Sequence, residues 1–185
     1  MKSKPIICFL IALLLASCGN GPEATQTVKG ETYSLQIPES MSRTSQLNDQ
    51  ASLQYQNPMK ELYIIVIDET KEEMQAAIDD NSLYDIYSND LQGYYDLVSN
   101  NILSTLSRDT LPRPTDTTIN GLKAKVLNVE GPVEGQDIYW KFAFVEGKKK
   151  YYQIMAWTLA NRREKHEKAM EEMIASFKET SKSKY

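Results

Sequence analysis

Leu62-Tyr63-Ile64-Ile65-Val66-Ile67 is apolar at every position and rich in β-branched side chains. Successive side chains of a strand point to opposite faces, so a run without polar alternation belongs to a strand covered on both sides. That stretch implies layers above and below a sheet. The segments before it alternate instead. Tyr33, Leu35 and Ile37 are separated by Ser34 and Gln36, and Pro38 ends the run. Leu53 and Tyr55 alternate with Gln54 and Gln56 ahead of the turn signal Asn57-Pro58. Both read as half-buried strands.

Helices follow. Thr70 and Glu73 have capping-box spacing, so a helix should start near Lys71, with Met74, Ala77 and Ile78 as its apolar stripe. Asn81 and Ser82 interrupt the pattern, and a second helix is expected over Asp90–Ser107. There Leu91, Tyr94, Tyr95, Val98, Ile102 and Leu106 recur at helical spacing. Gly93 inside it costs about 1 kcal/mol against alanine, which points to close packing. Past Pro112 and Pro114, Asn120-Gly121 signals a type I′ hairpin. Leu122, Ala124 and Val126 are expected opposite Leu127 and Val129 in the next strand. Ile138–Val145 then carries Ile138, Trp140, Phe142 and Phe144 on one face, and Tyr151–Thr158 returns after Glu146-Gly147. Asn161 and Glu164 form a second cap pair before a helix presenting His166, Met170, Met173, Ile174 and Phe177. This order predicts an α+β chain: an α/β/α sandwich with a mostly antiparallel sheet and helices on both faces.

The first residues have another character. Lys2 and Lys4 precede an apolar run, Pro5 to Leu15, which the small pair Ala16-Ser17 closes. Eleven residues are too few to span a bilayer, which takes roughly 20, and this is the anatomy of a secretory signal. With Cys18 next, Leu15-Ala16-Ser17-Cys18 resembles a bacterial lipobox. The resemblance implies cleavage before Cys18, acylation of that cysteine (palmitate being one such chain), and residence on a membrane of the cell envelope. The outer membrane is favoured over the inner. The expected organisation is a signal peptide over 1–17, a flexible tether over 18–29, one domain over 30–180 and a frayed tail over 181–185. Cys8 leaves with the signal, so the mature chain has no thiol for a disulfide or a metal.

Three phrases resemble the PsbP/Mog1-like superfamily: Tyr33-Ser34-Leu35-Gln36-Ile37-Pro38, the hairpin at Ile119-Asn120-Gly121, and Tyr152-Gln153-Ile154 followed by a helix ending Ile174-Ala175-Ser176-Phe177-Lys178. That superfamily includes photosystem accessory proteins, a Ran-binding protein and envelope lipoproteins. The resemblance implies a non-enzymatic binding or assembly module, and no functional residue transfers by motif.

The formal charge is −4, which disfavours nucleic acid as a partner. No Gly-x-Ser-x-Gly, P-loop or GxGxxG occurs, and the lone histidine, His166, sits at the edge of a packed stripe. We expect no catalytic, cofactor or metal residues; Asp79, Asp80 and Asp85 lack the ligand spacing of a calcium loop. Charge is uneven. Residues 60–100 hold ten acids and two bases, whereas 141–185 hold eleven bases and six acids. Tyr84 and Tyr87, between the two helices, and Lys148-Lys149-Lys150, at a hairpin tip, are the candidate partner surface. Asp109-Thr110-Leu111 and Asp116-Thr117-Thr118 resemble the acceptor motif of Bacteroidetes-type O-glycosylation, which makes Thr110 and Thr117 candidate sites in such a source. The expected function is that of a monomeric, lipid-anchored binding or assembly accessory with an envelope protein as partner. The rivals are a small-ligand carrier, with a pocket lined by Tyr94, Trp140 and Trp157, and a hydrolase-type enzyme.

Overall fold

The computed structural model describes residues 23–106 and 110–180. The lipobox and the final residues 181–185 lie outside the described residues. Strand β1 (Thr25–Lys29), β2 (Tyr33–Pro38), the two-residue β3 (Ser42–Arg43), β4 (Leu53–Asn57) and β5 (Leu62–Thr70) come first. Helices α1 (Lys71–Asp80) and α2 (Leu91–Thr105) follow. Then come β6 (Thr115–Ile119), β7 (Leu122–Val133), β8 (Gln136–Glu146), β9 (Lys150–Leu159), α3 (Arg163–Ala175) and the short β10 (Lys178–Glu179).

Seven strands form one antiparallel sheet in the order β3-β4-β5-β9-β8-β7-β6. β5, the all-apolar run, lies inside it between β4 and β9, as its two buried faces require. A second sheet, β1-β2-β10, is also antiparallel. Side chains on one face of the large sheet, among them Ile64, Val66, Tyr152 and Ile154, pack with β2 and with Met170, Met173 and Phe177 of the α3 region. Those on the other face, among them Trp140, Phe142, Phe144 and Tyr151, pack with α1 and α2. The molecule is the sandwich expected, with a small sheet joining α3 in one of the outer layers.

Local chemistry explains the boundaries. Thr70 Oγ1 accepts from the Glu73 amide at 3.0 Å while Glu73 Oε2 accepts from the Thr70 amide at 2.7 Å, closing the capping box of α1. Asp90 caps α2 by accepting from the Gly93 amide at 2.9 Å. Asn120 and Gly121 both have positive φ, and so do Glu134 and Gly135, which turn β7 into β8.

Four expectations need correction. The tether forecast over 18–29 gives way to β1 from Thr25, held by backbone pairing to β2 although Val28 is its single buried side chain. Residues 122–133 are one strand, not two. Ala124 and Val126 face the α3 side while Leu127 and Val129 face α2, so the change at 126–127 is a change of face rather than a turn. The Asn161–Glu164 cap does not form; a 3-10 turn, Ala160–Arg162, leads into α3. The last helix, expected to end at Lys178, stops at Ala175, and Lys178 and Glu179 form β10, which pairs with β2.

Candidate functional site

α1 lies over β5 and α2 over β7 and β8, and a gap remains between α2, the β5–β9–β8 part of the sheet and the β3–β4 connection. A cavity of about 430 Å³ occupies it. Ile67 and Glu69 of β5, Gln153 and Met155 of β9, and Trp140 and Phe142 of β8 make the floor. Tyr94, Val98 and Ile102 descend from α2, and Asn48 and Gln50 close one side from the β3–β4 connection. The volume lies in the range of small-molecule sites, and the mixture of apolar wall with a few polar groups is typical of them.

The alternation of strands puts these side chains together. Ile65, Ile67 and Glu69 share one face of β5, the face whose partners in β9 are Met155, Gln153 and Tyr151. Glu69 and Gln153 therefore have the parity of the face that carries the helices; Gln153 is buried there, whereas Glu69, near the end of β5, is exposed. The Gln153 amide donates to the Met155 thioether at 3.0 Å, a weak acceptor. Tyr94 is wholly buried, with its ring stacked on Tyr151 at 4.8 Å and edge-on to Phe144 at 6.3 Å. Among the described residues its hydroxyl has no hydrogen-bond partner. Burial, then the charges of Glu69 and Asp68, push that hydroxyl well above its ordinary pKa. The Glu69 carboxyl is itself raised, first by desolvation and then by Glu73 and Asp68. It has no ion pair or hydrogen bond among the described residues, whereas its neighbour Asp68 is held by Lys150 at 2.5 Å and by Ser52.

Of the three side chains expected to line such a pocket, Tyr94 and Trp140 do. Trp157 does not; it stacks on Tyr63 at 5.2 Å. Glu69 and Gln153 were missed in the sequence, though a polar residue at the parity of a covered strand face is a readable signal.

The other sequence-chosen residues are scattered. Tyr84 is 65% exposed in the α1–α2 connection, and Ile86 beside it is 66% exposed. Tyr87 departs from expectation. It is half-buried against the α1–α2 cluster and its hydroxyl accepts from Asn100 Nδ2 at 2.6 Å. Lys148 and Lys149 are exposed at the β8–β9 tip, beside an open groove that Lys178 and Glu179 also line. Lys150 is not part of that exposed surface, because its ammonium turns in to Asp68. The tip is anchored: the Lys148 amide donates to Glu179 Oε1 at 3.0 Å, and the Lys149 carbonyl accepts from the Lys71 amide at 2.9 Å. Thr110 is exposed in the extended connection before β6, and Asp109 lies outside the described residues. Thr117 is exposed too, but within edge strand β6 opposite Ala124 rather than in the connection. His166 is buried, its Nε2 without a hydrogen-bond partner among the described residues. Among the described residues no group of three or more His, Cys, Asp or Glu side chains is placed to hold a metal ion, and no helix is long and apolar enough to cross a membrane.

No family model matches the chain, and no curated protein does. Solved structures do. Cyanobacterial PsbP (CyanoP) from Synechocystis sp. PCC 6803 superposes with a TM-score of 0.54 at 12% identity, over 89% of this chain and 98% of that one. The Saccharomyces cerevisiae Ran-binding protein Mog1p gives 0.53 at 12% identity, over 86% and 97%. LpqN, involved in cell envelope biogenesis of Mycobacterium tuberculosis, gives 0.50 at 14% identity, over 85% and 91%. The chain spans about half, 51%, of a Bacteroides thetaiotaomicron protein that it matches with a TM-score of 0.52 at 10% identity. At such identities the likeness shows architecture: an α+β chain with mostly antiparallel sheets and, among the described residues, three α-helices, in the fold of the PsbP/Mog1-like proteins.

Proposed function

We propose that the protein is a cell-envelope lipoprotein, anchored through acylated Cys18, that acts as a binding or assembly accessory rather than as an enzyme. The observation that carries a partner-binding role is the α1–α2 connection. It holds Tyr84 and Ile86, two of only three large hydrophobic side chains exposed among the described residues. Exposed aromatic and aliphatic side chains brought together in one turn suit a protein interface. The names of Mog1p, a Ran-binding protein, and LpqN, of envelope biogenesis, support binding and location respectively.

The test is crosslinking in the native envelope from a photoreactive residue at position 84. Capture of one defined protein is expected, with capture lost in Tyr84→Ala/Ile86→Ala. Recovery of lipid alone overturns the partner role. Cys18→Ser should abolish lipid labelling and membrane retention; a variant that still sediments with membranes overturns the anchor.

A second reading, a small-ligand carrier, is favoured by the cavity beneath α2. Its lining is largely apolar and includes Tyr94, whose buried hydroxyl has no hydrogen-bond partner among the described residues.

A further inference from the structure

We propose that the domain docks end-on against the bilayer that holds its Cys18 lipid, with the β4–β5 turn among the headgroups and Met59 at their apolar boundary. The inference rests on the anchor reading and adds an orientation to it.

Three observations converge. The first is reach. Five peptide steps separate Cys18 from Glu23, the first described residue. A chain advances at most about 3.6 Å per residue, so Glu23 stays within about 18 Å of an acylated Cys18 in any conformation. The second is where Glu23 sits. Its carboxylate accepts from the Lys60 ammonium at 2.7 Å, and the Glu39 amide donates to the Ala24 carbonyl at 2.9 Å. The short reach therefore ends beside the β4–β5 turn. The third is the surface of that turn. Met59 is 89% exposed, and Pro58 beside it is exposed too. The other two exposed large hydrophobic side chains among the described residues, Tyr84 and Ile86, lie together in the α1–α2 connection. A single exposed methionine is ordinary on a protein surface. One fixed next to the point where the lipid is tied has the bilayer as its neighbour.

The turn holds that side chain out. The Lys60 amide donates to the Asn57 carbonyl at 3.1 Å and to Asn57 Oδ1 at 3.0 Å, and Asn57 Nδ2 donates to the Ser40 carbonyl at 2.9 Å. Arg162 Nη1 donates to the Met59 carbonyl at 3.1 Å. The backbone is thus pinned from two other elements while the thioether projects. A flexible, apolar methionine suits an irregular acyl boundary. Lys60 and Arg162 stand behind it, with apolar stems and charged heads that can lie at the level of the phosphates. Glu23 already matches the Lys60 charge, so the contact depends on apolar insertion and does not require anionic lipid. The opposite end of the sheet follows. β5 runs from Leu62, beside the turn, to Thr70, which pairs with Lys150. Its eight steps at about 3.4 Å put the Lys148-Lys149 tip roughly 27 Å farther along the strand axis. In this orientation those lysines face away from the headgroups and stay open to a protein partner.

The experiment uses the acylated chain in phosphatidylcholine vesicles. Cys8 has left with the signal and the Cys18 sulfur carries lipid, so a cysteine introduced by Met59→Cys, or in a second chain by Lys149→Cys, is the one free thiol. Each is labelled with nitrobenzoxadiazole. Both positions are exposed, so the thermal midpoints should match that of the unsubstituted chain. The label at 59 should emit to the blue of the label at 149. It should be quenched several-fold more strongly by 5-doxyl-phosphatidylcholine, and less by aqueous iodide. Water-like signals at both positions, on vesicles that carry the protein through flotation, overturn the docking and leave the anchor standing. Stronger lipid quenching at 149 than at 59 overturns the orientation. If the chain does not float with the vesicles, the anchor reading falls and the docking falls with it.

Discussion

Phe177 ends the α3 region wholly buried, stacked on Tyr33 at 5.5 Å and tilted against Tyr152 at 4.9 Å. Phe177→Ala should cost about 3–5 kcal/mol, read as a lower midpoint in urea unfolding at unchanged slope. An unchanged midpoint would mean that this ring trio is not a core. His166 makes a prediction about pH. Desolvation first, then Lys165, Lys60 and Arg162, hold its imidazole below the ordinary 6.5, and the Lys60 carbonyl only partly opposes them. A base whose folded pKa is depressed gives stability that is present above the unfolded value and is lost as pH falls through the folded value. The protein should therefore lose stability below about pH 6.5, and His166→Gln should flatten that part of the profile. Burial of His166 follows from the helical stripe in the sequence. The same stripe could not reveal that Nε2 has no hydrogen-bond partner, because that depends on which elements pack around it.

At the scale of elements, α2 is shaped by one close approach. A Cβ on Gly93 would lie 1.8 Å from the Ser88 carbonyl oxygen. Alanine normally favours a helix over glycine by about 1 kcal/mol. Here Gly93→Ala should instead destabilise by about 1–3 kcal/mol, because the Ser88–Asp90 turn must move, as differential scanning calorimetry would show. α3 is clasped to β8 by charge. Tyr139 donates to Glu167 at 2.6 Å, Arg163 lies over the Tyr139 ring at 4.4 Å, and Lys141 reaches Glu171 at 2.7 Å and Glu167 at 3.3 Å. The Tyr139 and Arg163 hydrogen bonds, against desolvation and with help from Lys141, bring the Glu167 carboxyl down to about 2. A depressed carboxylate contributes stability above its unfolded pKa, near 4.5, and loses it as pH falls through about 2. Glu167→Gln should lessen the acid sensitivity in that window. The strands and helices with strong periodicity were legible: β2, β5, β8, β9, α1 and the stripes of α2 and α3. β1, β3 and β10 were not. Two of them are two residues long, and β1 buries only Val28, so each exists through backbone pairing to a neighbour rather than through a pattern of its own.

Over the whole molecule, one sheet serves two cores. Alternate residues of β9 face opposite ways, Tyr152 and Ile154 toward α3, Tyr151 and Met155 toward α2. Neither layer can melt without uncovering a face of the same strands. Urea unfolding followed by far-UV circular dichroism and by Trp140 and Trp157 fluorescence should give coincident midpoints. An earlier tryptophan transition would show the α2 layer opening separately. The two faces could be read from alternation, but the cavity could not, because it arises between α2, the sheet and the β3–β4 connection, which are far apart in sequence. β2 holds a further consequence. Its neighbours are β1, close in sequence, and β10, more than 140 residues later, and Tyr33 completes its ring contacts only with Tyr152 and Phe177. On a ribosome, the opening strands emerge long before the residues that bury them. The nascent polypeptide therefore has no finished core until α3 has been synthesised, and it stays threadable through a narrow pore for most of its own translation.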